Sequence, residues 1–135
     1  MNRRWRHIDQ YDMSASQGLA TDHFITQIHE EKGGSEYSSI LRLYNHRNYC
    51  ALIGRFQNLE AEVDIENCQK LGYGFGRRQT GGGAIMMGKD QLGICFASNQ
   101  ENFPWEHIRE LYTKLSAPII NTLKELGIDA SFRSK

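Results

Sequence analysis

The chain has 135 residues and a mass of 15.5 kDa, long enough for one domain with its own core and short for two. Sixteen Lys and Arg residues balance sixteen Asp and Glu residues, so no global field draws the chain to nucleic acid or to an acidic membrane, and any anion binding must be local. Hydrophobic residues make up 39%, yet no apolar run approaches the roughly 18 residues of a membrane span.

The N-terminus, Met1-Asn2-Arg3-Arg4-Trp5-Arg6-His7, is basic but no apolar segment follows it, so a secretory signal is not expected. Residues 5–8 read as a short strand. A helix is predicted over about 14–32, because Ala20, Phe24 and Ile28 recur at i+4, with Ser14 or Ser16 as caps and Gly33-Gly34 as the stop. Residues 39–44 and 50–54 are strand-like and joined by the polar Asn45-His46-Arg47-Asn48, a hairpin or a short loop. After the loop Gly54-Arg55-Phe56-Gln57-Asn58, a short helix over 63–71 closes at Gly72.

Residues 74–78 read as a strand entering a glycine triplet, 84–87 as one leaving it, and 92–98 as a third beyond the turn Gly88-Lys89-Asp90-Gln91. A helical phase runs through Ile108, Leu111, Tyr112, Leu115, Ile119, Leu123 and Leu126, with Pro118 expected to kink or split it and Gly127 to end it. Residues 128–132 would then begin another strand. No repeat, low-complexity tract or linker divides the chain, so residues 1–135 read as a single domain. Cys50, Cys68 and Cys95 are odd in number and widely spaced, which fits reduced cytoplasmic thiols better than a disulfide framework or a zinc site.

The stretch Arg77-Arg78-Gln79-Thr80-Gly81-Gly82-Gly83-Ala84-Ile85 carries the chemistry. Three consecutive glycines serve the backbone, through positive φ or close approach of another group, and a tight hairpin would need only two of them. Flanking guanidinium groups make the run a candidate site for a phosphate or carboxylate. Arg77 and Arg78 alternate across a strand, so one is expected to face a ligand and the other to form a surface ion pair. Thr80 favours a turn and could offer its hydroxyl. Gln57 and Asn58 leave a strand end, where ligand contacts and ordinary turn formation are both common. Met86 and Met87 are pliable apolar candidates for an acyl tunnel, one of them belonging to the core. Cys95 reads as a small core residue and Asp22 as structural.

Two phosphate motifs come near and fail. Gly83 to Lys89 has the spacing of a Walker loop, but Asp90 stands where a magnesium-binding hydroxyl is needed and the intervening residues read as strand. Gly72, Gly74 and Gly76 mimic a dinucleotide fingerprint, but Arg77 stands where that spacing needs a helix start.

The order strand, two arginines, hydroxyl residue, three glycines, strand resembles the lipoate-protein ligase A family, within the biotin/lipoate ligase and octanoyltransferase superfamily, whose hallmark is R-R-x-[S/T]-G-G-G-[A/T]-V-x-H-D. The resemblance extends to Trp5-Arg6-His7-Ile8-Asp9 with Leu19-Ala20-Thr21-Asp22, and to Ile53-Gly54-Arg55-Phe56-Gln57-Asn58 followed by Glu62-Val63-Asp64. It implies an α/β (α+β) domain with an open mixed or antiparallel sheet and packed helices, class II synthetase-like and apparently truncated, the chain forming the N-terminal part of a catalytic domain. It also implies an ATP-dependent ligase that converts lipoate to lipoyl-AMP, with Mg2+ as the nucleotide's counter-ion. The acyl group then passes to a lysine of a lipoyl domain or glycine-cleavage H-type carrier protein.

Residues Arg77, Arg78, Thr80, Gly81, Gly82, Gly83, Ala84, Gln57 and Asn58 would bind the substrate or adenylate. No catalytic residue is assigned, because the family's catalytic lysine is expected beyond Lys135, as is the cysteine nucleophile of the related octanoyltransferases. Met87-Gly88 also departs from the family's His-Asp. The alternatives are an octanoyl or lipoyl transferase of the same fold and a non-catalytic lipoyl-binding subunit of a split ligase. A second chain or a second copy could complete such a domain, since a cut sheet leaves an unpaired edge.

Overall fold

The computed structural model describes residues 4–31, 39–98 and 104–133, and its contacts fall into two compact units, Met1–Asn99 and Gln100–Lys135. The elements of the first unit are β1 (Trp5–Met13), α1 (Ala15–Glu31), β2 (Ser39–His46), β3 (Cys50–Ile53), α2 (Leu59–Glu62), α3 (Ile65–Lys70), β4 (Gly74–Arg77), β5 (Ile85–Met87) and β6 (Gly93–Ser98). The second unit holds α4 (Ile108–Glu125). This is the mixed α/β build expected, with its strands divided between two three-stranded sheets, β1-β2-β6 and β4-β3-β5.

In the first sheet β2 runs parallel to β1 and antiparallel to β6. The first strand is longer than its apolar start suggested and carries an irregularity between Gln10 and Met13, where Asp12 adopts φ 62°. Asn45 Oδ1 accepts the Asp12 N–H at 2.8 Å and Arg47 reaches the Asp12 carboxylate at 3.0 Å, so side chains hold that conformation. Ser14 starts α1 with a reciprocal cap: Gln17 N–H donates to Ser14 Oγ at 3.2 Å and Ser14 N–H donates to Gln17 Oε1 at 3.0 Å. The stop expected at Gly33-Gly34 lies outside the described residues.

Residues 45–48 do not close a hairpin. They carry the chain from one sheet to the other, because Arg47 N–H goes to Met13 O of β1 while Tyr49 O accepts from the N–H of Gly74, the first residue of β4. The central strand of the second sheet is β3, with β4 parallel and β5 antiparallel on its flanks. Ala15, Cys50 and Leu52, with Leu19 and Met87 packed on them, form one core cluster; Ile53, Val63 and Cys68 form another with Ala51, Leu59, Tyr73 and Phe75. Thus α1 covers one face of β3 and the short helices cover the other. A Cβ on Gly76 would come within 2.9 Å of Leu19 Cδ1, so the absent side chain lets α1 lie close to β4. The three cysteines are free thiols.

The helix expected over 63–71 forms as α3, Ile65–Lys70, which Asp64 caps by accepting from Asn67 N–H at 3.0 Å; the short α2 ahead of it, Leu59–Glu62, was not expected. In the second unit α4 runs through Pro118 without splitting, and Thr122 Oγ1 donates to Pro118 O at 2.9 Å. Gly127, at φ 80°, terminates it as expected: its N–H reaches Lys124 O and that of Ile128 reaches Leu123 O, both at 2.9 Å. The strand expected over 128–132 is absent. Among the described residues, the segment's one backbone hydrogen bond is that of the Ile128 N–H, which completes this cap.

A buried polar cluster ties α1 to the first sheet. Arg42 is 0% exposed; it donates from Nη1 to Asp22 Oδ1 at 2.5 Å and from Nε to Gln10 Oε1 at 2.6 Å, and its guanidinium lies 4.0 Å from the Tyr44 ring centroid. Arg42 Nη2 and both ring nitrogens of the buried His46 have no partner among the described residues. Burial, reinforced by the neighbouring Asp22 carboxylate, pushes the Tyr44 hydroxyl from 10.0 to about 12 and the Cys95 thiol from 9.0 to about 12.

Three outcomes follow from this packing. Replacing Asp22 with Ala strands the Arg42 charge and should cost about 3–5 kcal/mol in urea unfolding, whereas Lys70→Ala, which removes an exposed i,i+4 pair with Glu66, should cost no more than about 0.5 kcal/mol. Because the folded chain retains the Tyr44 and Cys95 protons that the unfolded chain has lost, stability should fall as pH rises between 9.0 and about 12; Cys95→Ala should flatten that decline, and an unchanged slope would contradict it. Finally, a Cβ on Gly54 would sit 2.0 Å from Gly82 O, so Gly54→Ala should lose about 1–3 kcal/mol through forced displacement of the glycine loop, read as a drop in thermal midpoint.

Candidate anion-binding site at the glycine loop

Because β4 and β5 flank β3, the segment between them must pass over the C-terminal end of β3, where the chain turns out at Gly54. The glycine run therefore crosses Gly54 backbone to backbone, at a distance that a side chain on Gly54 would forbid. Gly81, Gly82 and Gly83 are all exposed, and Gly82 takes φ 102°. Only Gly82 needs the left-handed region; around Gly81 and Gly83 a Cβ would meet nothing within 4 Å.

Both arginines turn onto backbone carbonyls. From Arg77, Nη1 lies 3.3, 3.0 and 2.6 Å from the carbonyl oxygens of Gly54, Arg55 and Gln57, holding the turn after β3. Arg78 donates from Nη1 to Leu52 O at 3.1 Å and from Nη2 to Gly81 O at 3.2 Å and Gly83 O at 2.9 Å. Neither forms an ion pair among the described residues, contrary to the surface pair expected for one of them. A planar fork with several donors suits this bracing, and the exposed carbonyls of two tight loops lie within its reach.

Fixing the carbonyls has a consequence for the donors. Thr80 O accepts from Arg55 N–H at 2.9 Å, and Gly81 O and Gly83 O are bonded to Arg78. Among the described residues no acceptor takes the N–H groups of Gly81, Gly82 or Gly83. Adjacent backbone N–H groups without partners, on a loop held in place by its carbonyl side, are suited to an anionic oxygen.

The remaining sequence-selected residues divide between the loop and its support. Thr80 and Ala84 are exposed on the loop. Gln57 Oε1 accepts Gly54 N–H at 2.8 Å, and Asn58 caps α2 by accepting from Glu60 N–H at 3.1 Å, so both side-chain oxygens are engaged in the turn. Met87 packs into the core beside β3 while Met86 is 53% exposed. A shallow hollow lined by Glu60, Glu62, Val63 and Ile65 lies at the junction of α2 and α3, not at the glycine loop. Among the described residues no group of three or more His, Cys, Asp or Glu side chains could hold a metal ion, and no helix is long and apolar enough to cross a membrane.

Two features escaped the reading of the sequence. Gly54 is as necessary to the loop as the triplet, yet residue order marks it only as a glycine after an apolar strand and as part of the segment that carries the resemblance. Arg55 extends from the same turn with its guanidinium 5.6 Å from the Phe56 ring centroid, and nothing in residue order distinguishes it from the bracing arginines.

Comparison with known proteins places the chain. The lipoyl protein ligase A/B catalytic domain family matches residues 14–135. Among curated relatives, octanoyltransferase LipM of Anoxybacillus flavithermus is 30% identical over 128 residues, covering 95% of this chain and 45% of its own length. The LipM of Carboxydothermus hydrogenoformans is 31% identical, with 93% and 45% covered. Among solved structures, a bi-partite lipoate protein ligase from Thermoplasma acidophilum, described together with its E2 lipoyl domain, matches with a TM-score of 0.80 at 26% identity, covering 98% of this chain and 49% of its own. A protein of the same organism with bound lipoic acid gives 0.78 at 27%, covering 100% and 52%. The chain spans about half the length of the curated relatives it matches, 45% of each of these two. With that match running through the braced glycine loop and over nearly every described element, the chain belongs to the lipoyl protein ligase A/B catalytic domain family.

Proposed function

We propose that this chain is the acyl- and adenylate-binding N-terminal portion of a single lipoate ligase-like catalytic domain that acts in the cytoplasm. In this reading the lipoate carboxylate attacks the α-phosphate of ATP, forming lipoyl-AMP as the bond to pyrophosphate breaks, and a lysine amine of a lipoyl domain or H-type carrier protein then takes the acyl group and releases AMP. The observation that carries it is the set of unpartnered N–H groups at Gly81, Gly82 and Gly83. They would face the adenylate phosphate, with Thr80 and Ala84 beside it, while Arg77, Arg78, Gln57 and Asn58 hold the loop in shape. Fixed donors of this kind counter phosphate charge without reorganising during reaction. The lipoic acid bound to a structural relative supports an acyl ligand of this class.

The loop's free N–H donors would suit the phosphates of ATP, with Mg2+ as their counter-ion. The catalytic lysine is expected outside this chain, and the bi-partite build of the Thermoplasma ligase supports a second chain that completes the domain. A second reading is favoured by the curated relatives at 30% and 31% identity, both octanoyltransferases: the acyl group would come from a carrier thioester without ATP.

Adding lipoyl-AMP to the isotopically labelled chain should shift the amide resonances of Gly81, Gly82 and Gly83 more than those of α4, and unmoved glycine resonances would sink the adenylate site. Lipoate-dependent pyrophosphate release from ATP then supports the ligase. Acyl transfer from an octanoyl-carrier thioester in the absence of ATP supports the transferase instead.

A further inference from the structure

The glycine loop lies beside three arginines, and two of them are committed. Arg77 and Arg78 direct their guanidinium nitrogens at backbone carbonyls. A guanidinium whose N–H groups already have acceptors keeps its charge but has fewer donors for a ligand oxygen. Arg55 differs. Its backbone N–H is bonded to Thr80 O at 2.9 Å, which fixes the residue against the loop, yet its guanidinium has no hydrogen-bond acceptor and no carboxylate partner among the described residues. Its side chain is exposed and leans on the ring of Phe56, itself 86% exposed. An aromatic face beneath a guanidinium supports it without using any of its in-plane donors.

We propose that Arg55 is the residue that recognises the phosphate of the acyl donor, and that Arg77 and Arg78 are positioning residues which shape the loop. The ligand chemistry is a phosphodiester or acyl phosphate joined to a medium-length acyl chain, met by backbone N–H groups on one side and by the Arg55 fork on the other. Two sources share this chemistry: an acyl-adenylate and an acyl-phosphopantetheine carried as a thioester. This assignment rests on the acyl-binding reading of the same site, and it names the group by which the donor is selected.

The test measures binding of three probes to the full chain by calorimetry: octanoyl-phosphopantetheine, octanoyl-pantetheine without the phosphate, and the stable octyl phosphodiester of AMP. The unmodified chain should bind at least one phosphate-bearing probe about tenfold tighter than octanoyl-pantetheine, the size expected of a charge-assisted bidentate contact. Arg55→Gln should remove most of that preference, leaving the part the glycine N–H groups supply, with no change in thermal midpoint, because the side chain braces nothing. Arg55→Lys should keep more of it. Arg78→Gln, in contrast, should lower the thermal midpoint.

Whichever phosphate-bearing probe is preferred identifies the source. An Arg55→Gln chain that retains the preference overturns the assignment, as does an unmodified chain that binds all three probes equally. Failure to bind any of the three overturns the acyl-binding reading itself, a distinguishable result.

Discussion

The second sheet is organised by the crossing of one loop over one strand end. Placing β4 and β5 on either side of β3 forces their connection across Gly54, and the crossing is close enough that only a hydrogen can occupy the position where Gly54 would carry a side chain. Arg78 then fastens the carbonyls of the crossing segment from below, and Arg77 fastens those of the turn it crosses. The donors left over are a by-product of that fastening, since a peptide unit whose oxygen is held on one side presents its N–H elsewhere. Topology, glycine content and the availability of donors are thus three aspects of a single geometric requirement.

Away from the loop, the relation of α1 to both sheets is set by complementary means. Against β3 and β4 it is steric: Ala15 and Leu19 lie over Cys50, Leu52 and Gly76. Against β2 it is polar, through the pair of Arg42 and Asp22. An apolar contact is tolerant of sliding, whereas a buried guanidinium that must find Asp22, Gln10 and Gly18 O at once accepts one helix position. The same helix therefore has a forgiving side and an exacting side, and the second keeps the two sheets in register with the site.

Much of the architecture is visible in residue order where periodicity or turn chemistry speaks locally. The first helix, its serine cap, the strands flanking the glycines and the Gly127 terminus all follow from such signals. The division into two sheets does not, because it depends on which backbone groups the residues 45–48 satisfy, and Arg47 and Tyr49 find partners far away in sequence. The short α2 ahead of Asp64 is not visible in residue order, because its one signal is the Asn58 cap and an asparagine there reads as readily as a turn former. At the candidate site the glycines announce an exposed backbone, but the arginines beside them are ambiguous: alternation along a strand assigns them to opposite faces without revealing that carbonyls await on both. Gln57 and Asn58 are equally ambiguous, since the amide that could reach a ligand is the same one that closes a turn.

The position of β3 carries one more implication. Among the described residues it is the one ladder partner of both β4 and β5, four of its residues pairing with β4 and three with β5, and its side chains enter both apolar clusters. Amide exchange in this region should therefore be collective, with the second sheet and its loop opening as one cooperative unit while the first sheet stays closed.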